Sequence, residues 1–123
     1  MGFCWVTITV RDMEKSLAFY RDLVGLQVRQ RMKPYPGREL AFLATAAEGE
    51  ETEVELLHDD GAEPSFGKDI SLGFTVDSLE KLIARLAEHG IAEYSGPFQP
   101  GPKIRFIFVA DPDGLRIQFV ENL

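Results

Sequence analysis

Hydrophobic positions along this chain switch twice from a two-residue to a helical period, in the same order each time. Phe3–Val10 alternates, with Val6, Ile8 and Val10 on one side and Trp5, Thr7 and Thr9 on the other. That is the pattern of a strand with one apolar face. Asp12 then stands where a helix cap belongs, and Met13, Leu17, Tyr20 and Val24 share one helical stripe. A helix is predicted over Met13–Leu23, with Gly25 as its stop. Three strands are predicted after it, at Leu26–Met32, Glu39–Ala44 and Glu53–His58. Pro34–Gly37 interrupts the first pair and the acidic Glu48–Glu51 loop joins the last pair.

The order then restarts. Asp59–Asp69, with Gly61, Pro64 and Gly67, reads as a linker. Ile70–Val76 is the next strand, Ser78 the next cap, Leu79–His89 the next helix and Gly90 its stop. Ile91–Ser95 is predicted as a short strand and Gly96–Pro102 as a loop. Ile104–Val109 and Leu115–Glu121 form a hairpin around Asp111-Pro-Asp-Gly114, a sequence with strong turn chemistry. Val10–Tyr20 also overlies Val76–Leu86 at a constant offset of 66, with Val, Glu, Lys and Ala coinciding. A duplicated β-α-β-β-β unit follows.

The predicted fold class is α+β. A single domain, 1–123, holds two βαβββ modules, module 1 at 1–58 and module 2 at 70–123, joined by the linker 59–69. The modules are expected to form an open barrel with the helices on its convex side. Each unit alone would be marginal, so one fused structure is expected.

Composition narrows the function. A formal net charge of −7, with the basic residues interleaved among acids, argues against a nucleic-acid partner. No apolar run approaches membrane-spanning length, so no membrane partner is expected either. The only cysteine, Cys4, excludes an internal disulfide framework; alternation points it to the helix side as a buried structural thiol. Met1–Val6 lacks the basic-then-apolar pattern of a leader, and a cytoplasmic setting is the expectation.

By strand parity, the face turned away from the helices carries Trp5, Thr7, Thr9, Glu53, Glu55, Leu57, Ser71, Gly73, Thr75, Arg116 and Gln118. This mixed surface with an aromatic platform suits an organic ligand with polar groups. Trp5 can stack on a ring or a cation. Glu55 can pair with a positive group or act as a general base; if it is held internally instead, Arg116 is the expected partner. Tyr35, Phe98 and Gln99 sit in the matching loops Lys33–Arg38 and Gly96–Lys103, at the expected pocket rim. His58 is three residues from Glu55 and so on the opposite strand face; both His58 and His89 read as surface residues rather than ligands.

Two segments carry a family resemblance. Val6-Thr-Ile-Thr-Val-Arg-Asp-Met-Glu-Lys-Ser-Leu-Ala-Phe-Tyr-Arg-Asp-Leu-Val-Gly-Leu26 resembles the opening of the vicinal oxygen chelate superfamily. That superfamily includes glyoxalase I, bleomycin resistance proteins, fosfomycin resistance proteins and extradiol dioxygenases. Phe106-Ile-Phe-Val-Ala-Asp-Pro-Asp-Gly-Leu-Arg-Ile-Gln118 is similar to its closing hairpin. The resemblance implies a glyoxalase-like fold, a homodimer, and, in metal-dependent members, a divalent ion held by four side chains. Those positions here are Trp5, Glu55, Ser71 and Gln118. Glu55 is a good hard-cation ligand and Gln118 a neutral oxygen donor. Ser71 is poor, and the Trp5 indole nitrogen only donates. No tight metal site is therefore expected, and no cofactor beyond a weak divalent ion at Glu55. The expected function is metal-free binding of a small molecule, a cationic drug included, as in bleomycin resistance proteins. The alternative is a metal-dependent lyase, isomerase or dioxygenase.

Overall fold

The computed structural model describes all residues, 1–123. Its elements run β1 (Trp5–Thr9), α1 (Met13–Leu17) continued by a π-helical segment (Ala18–Leu23), β2 (Gln27–Tyr35), β3 (Arg38–Ala44) and β4 (Glu53–Asp59). The same order returns in β5 (Ser71–Val76), α2 (Leu79–Glu88), β6 (Ser95–Gly101), β7 (Ile104–Ala110) and β8 (Arg116–Asn122). The chain separates into two compact units, Met1–Ser65 and Phe66–Leu123, so the boundary lies within 59–69. Each unit is a βαβββ module. No helix is long and apolar enough to cross a membrane.

Each module folds as one four-stranded mixed sheet, ordered β1-β4-β3-β2 in the first and β5-β8-β7-β6 in the second. Short connections make the last three strands of each module antiparallel. The helix between the first and second strands carries the chain across the sheet, so the first strand pairs in parallel with the last. Alternation then sorts the side chains. In the first module Ile8, Val10, Ala41, Leu43 and Leu56 are buried on the helix side with Met13, Leu17 and Leu23. In the second, Ile107, Val109, Ile117 and Phe119 are buried with Leu79, Leu82 and Leu86.

Both helices start where the sequence says. Asp12 accepts the Lys15 backbone N–H at 3.0 Å, and Ser78 accepts that of Lys81 at 3.2 Å. Glu121 adds a second device at α2: its carboxylate accepts the Leu79 N–H at 2.9 Å and the Arg105 guanidinium at 2.8 Å. The first of these bonds, and then the second, hold its acidity below the usual carboxylate range. The closing turn is also as predicted: buried Asp111 accepts the N–H groups of Asp113 and Leu115 at 2.8 and 2.9 Å, ahead of Gly114 at φ 91°.

Four expectations need correction. The strand predicted at Ile91–Ser95 lies instead at Ser95–Gly101, through the segment predicted as a loop. Likewise β2 runs on through Pro34 to Tyr35. Proline cannot donate to a ladder, but both strands are outermost in their sheets and pair irregularly with their neighbours near the prolines. The first helix widens at Ala18, with Val24 N–H bonded to the Phe19 carbonyl at 2.9 Å. The wider turn buries Phe19 and Leu23 and leaves Val24 only half-buried. Finally, Cys4 is exposed, because it precedes the first residue of β1 and packs under no helix.

Leu56 has no exposed surface. Leu56→Ala is expected to cost about 2–5 kcal/mol by the lost transfer energy and the cavity left behind, measured by denaturant unfolding. At Gly96, φ is +106° and an added Cβ would stand 2.9 Å from the Phe106 carbonyl oxygen. Gly96→Ala is expected to lower the unfolding midpoint as well, since neither the angle nor the backbone oxygen can yield cheaply.

Candidate functional site

In the first unit, parallel pairing sets Trp5 opposite Glu53, Thr7 opposite Glu55 and Thr9 opposite Leu57. Antiparallel pairing sets Phe42 opposite Glu55. These side chains therefore share the sheet face turned away from α1. The sequence-predicted residues Trp5, Thr7, Thr9, Glu53 and Glu55 are thus brought together there. Trp5 is 47% exposed and meets Phe42 edge to face, with centroids 5.4 Å apart. Glu55 is 8% exposed and accepts the Thr7 hydroxyl at 2.5 Å. Thr7 thus supplies the hydrogen bond that the sequence reading sought from Arg116.

Toward the far end of this face, Arg38 and Asp59 form a two-pronged pair at 2.6 and 2.7 Å. The Arg38 guanidinium also lies 5.3 Å from the Tyr35 ring centroid. Tyr35 is therefore on an organised edge of the same sheet rather than on a free loop. The Arg38 hydrogen bond holds Asp59 below the usual carboxylate range. At the other end Arg29 reaches the carbonyls of Ala46 and Gly49 at 3.0 and 2.8 Å and approaches Glu53 at 3.9 Å. Glu51 accepts the Thr45 N–H at 2.6 Å, which lowers its pKa. The acidic loop is tied down, not merely solvated.

In the second unit Ser71 pairs with Arg116, Gly73 with Gln118 and Thr75 with Val120. Phe108 lies opposite Gln118 and Phe106 opposite Val120. Ser71, Thr75, Arg116 and Gln118 accordingly share the face away from α2. Phe98 on β6 joins Phe106 and Phe108, with centroids 5.7 and 6.4 Å away. Arg116 lies over the Phe108 ring at 3.7 Å. Two open depressions meet at Arg116 and Phe108: one of about 510 Å³ bordered by Phe98, Gln99, Pro100 and Phe106, and one of about 690 Å³ bordered by Lys68, Tyr94 and Ser95.

Sequence reasoning missed Phe42, Arg38, Asp59, Phe106 and Phe108. Parity would have flagged the aromatic positions once β3 and β7 were included, but their register against β4 and β8 is not readable from one sequence. The histidines also differ from each other. His89 is exposed, whereas His58 is half-buried on the helix side, with Nδ1–H donating to the Val10 carbonyl at 3.0 Å and Nε2 3.3 Å from Asp60. It ties β4 to the end of β1, a structural role that a surface reading does not contain.

The donor chemistry does not fit a resident divalent ion. Of the four positions that the family resemblance implies, Trp5 offers no lone pair, Ser71 only a neutral hydroxyl and Gln118 only an amide oxygen. Glu55 is the sole carboxylate of the set and already accepts from Thr7.

The family described as Glyoxalase/Bleomycin resistance protein/Dioxygenase superfamily matches residues 2–119. The chain belongs to this superfamily. It is 33% identical over 124 residues to a "Probable lactoylglutathione lyase" of Synechocystis, covering 94% of this chain and 91% of that one. It is 31% identical over 120 residues to the lactoylglutathione lyase of Salmonella typhimurium, covering 93% and 87%. Among solved structures, the trypanothione-dependent glyoxalase I of Leishmania major aligns with a TM-score of 0.79 at 22% identity, over 98% of this chain and 86% of that one. An antibiotic binding protein from Streptomyces aligns at 0.73 and 24% identity, over 100% and 97%. These two structures show the fold.

The shifted groups set opposite pH dependences. Asp59, Glu51 and Glu121 lie below their usual range. Their contribution is full above about pH 5 and is lost as pH falls through their lowered values. His58 is raised, chiefly by its bond to the Val10 carbonyl. Its contribution is full below about pH 6.5 and is lost as pH rises through the raised value. Melting temperatures of the protein and of His58→Gln, compared across pH, should differ most on the acid side of neutrality and converge as pH rises.

Proposed function

We propose that the protein binds a small organic molecule on the sheet face of the first unit without the divalent ion used by metal-dependent members of its superfamily. The observation that carries this reading is Trp5. It occupies a position implied for a metal ligand, yet offers a half-exposed aromatic surface braced by Phe42 beside Glu53 and Glu55. Such a surface suits a ring or an organic cation. The antibiotic binding protein that shares the fold is consistent with it. The proposal includes a homodimer, supported by the apolar Phe3 and Ile70 left exposed, 70% and 58%. It also includes a cytoplasmic setting, supported by the exposed thiol of Cys4.

A second reading is favoured by relatives named lactoylglutathione lyase at 31–33% identity. In it the protein is a metal-dependent lyase, with Glu55 as a ligand or general base. Metal analysis of protein prepared without chelator separates the two. The binding reading expects substoichiometric Zn, Ni, Mn and Fe; a full equivalent that is lost in Glu55→Gln establishes the second.

Trp5 is the only tryptophan, so its emission reports this face directly. Titration with a panel of aromatic cations is expected to quench it. Glu55→Gln should weaken the tightest cation by about tenfold, the scale of one charge-assisted contact. Quenching that is unchanged by Glu55→Gln would remove the carboxylate from the site. Light scattering is expected to give twice the 13.8 kDa chain mass.

A further inference from the structure

We infer that the second unit carries a subsite for an aromatic carboxylate, built on Arg116 and the Phe98–Phe106–Phe108 cluster. The inference rests on the small-molecule reading above and adds to it a subsite of opposite charge preference on the second unit.

Arg116 is set apart from most arginines of the chain. Arg21, Arg29, Arg31, Arg38 and Arg105 each pair with a carboxylate. Arg116 pairs with none; it is exposed and lies over Phe108 at 3.7 Å. Stacking satisfies the face of a guanidinium and leaves its in-plane N–H fork free. That fork matches the two oxygens of a carboxylate. A phosphate dianion would call for more cations than this single fork. Lys68 borders the larger depression, but Glu93 borders it too and offsets its charge, so Arg116 sets the sign.

The apolar half of the subsite is already in place. Phe106 and Phe108 pack edge to face at 5.6 Å, and Phe98 leans on both while remaining 45% exposed. A large exposed ring held by two neighbours has little freedom left to lose when a ligand ring covers it. The adjoining depression of about 510 Å³ holds a one- or two-ring compound. The duplication sharpens the contrast. Ser71 and Arg116 are paired as Trp5 and Glu53 are, and Phe108 faces Gln118 as Phe42 faces Glu55. The same framework position carries a carboxylate in one unit and an unpaired guanidinium in the other.

The test uses the full chain and three probes of one shape: naphthoate, the neutral naphthamide and naphthylmethylammonium, each titrated while amide and arginine side-chain NMR signals are followed. Naphthoate is expected to shift Ser95, Phe98 and the Arg116 Nε–H, and to bind at least about tenfold more tightly than naphthamide. Arg116→Gln should erase that preference. Arg116→Lys should recover only part of it, since an ammonium has no planar fork. The same spectra show whether each variant is folded. Equal affinity for all three probes, a preference for the ammonium at Phe98, or an unchanged preference in Arg116→Gln overturns the inference. Ring binding at Phe98 without charge preference does so while leaving the small-molecule reading standing. No perturbation by any probe removes the subsite, and Trp5 quenching by other ligands then decides the earlier reading separately.

Discussion

The parallel pairing of first strand with last strand is the contact on which the rest of each module depends. A helix separates β1 from β2, so β1 cannot close a hairpin and must find a partner far along the chain. It finds β4, and the ladder sets Thr7 beside Glu55. The second module repeats this with β5 and β8, setting Gly73 beside Gln118. Because the side-chain period is two, this one register decides which residues meet the helix and which line the opposite face. A slip by one residue would bury Glu55 under α1 and expose Leu56.

Backbone pairing carries this constraint, so the side chains on the site face are free to differ between modules. The helix faces are conservative: Leu17 and Ile83, and Tyr20 and Leu86, coincide in the repeat and are apolar. The opposite faces are not. One presents an indole beside carboxylates, the other a guanidinium over a phenyl ring. The same ladders in this way hold side chains of quite different chemistry in the two modules.

Much of the frame was legible in the sequence. The caps Asp12 and Ser78, the turn at Asp111–Gly114 and the alternation of Val6, Ile8 and Val10 are local signals, and the structure repeats them. The misreadings arose where context overrides local preference. Pro97 and Pro100 argue for a loop until β6 is known to be the outermost strand of its sheet. The widening at Ala18 has no local signature and shows itself only as the burial of Phe19 and Leu23. The candidate site was half-legible. Parity found Trp5, Glu55, Arg116 and Gln118, whereas Phe42 and Phe108 needed the register of the middle strands. The Thr7–Glu55 bond needed the parallel pairing.

The prolines of β2 and β6 have a consequence beyond local geometry. Pro34 in β2, and Pro97 and Pro100 in β6, leave positions without an N–H in one edge strand of each sheet. Another chain arriving there meets gaps where a continuous ladder of donors would be needed to extend the sheet. Those two edges are thereby poorer templates for fibre growth than unbroken strands of the same length.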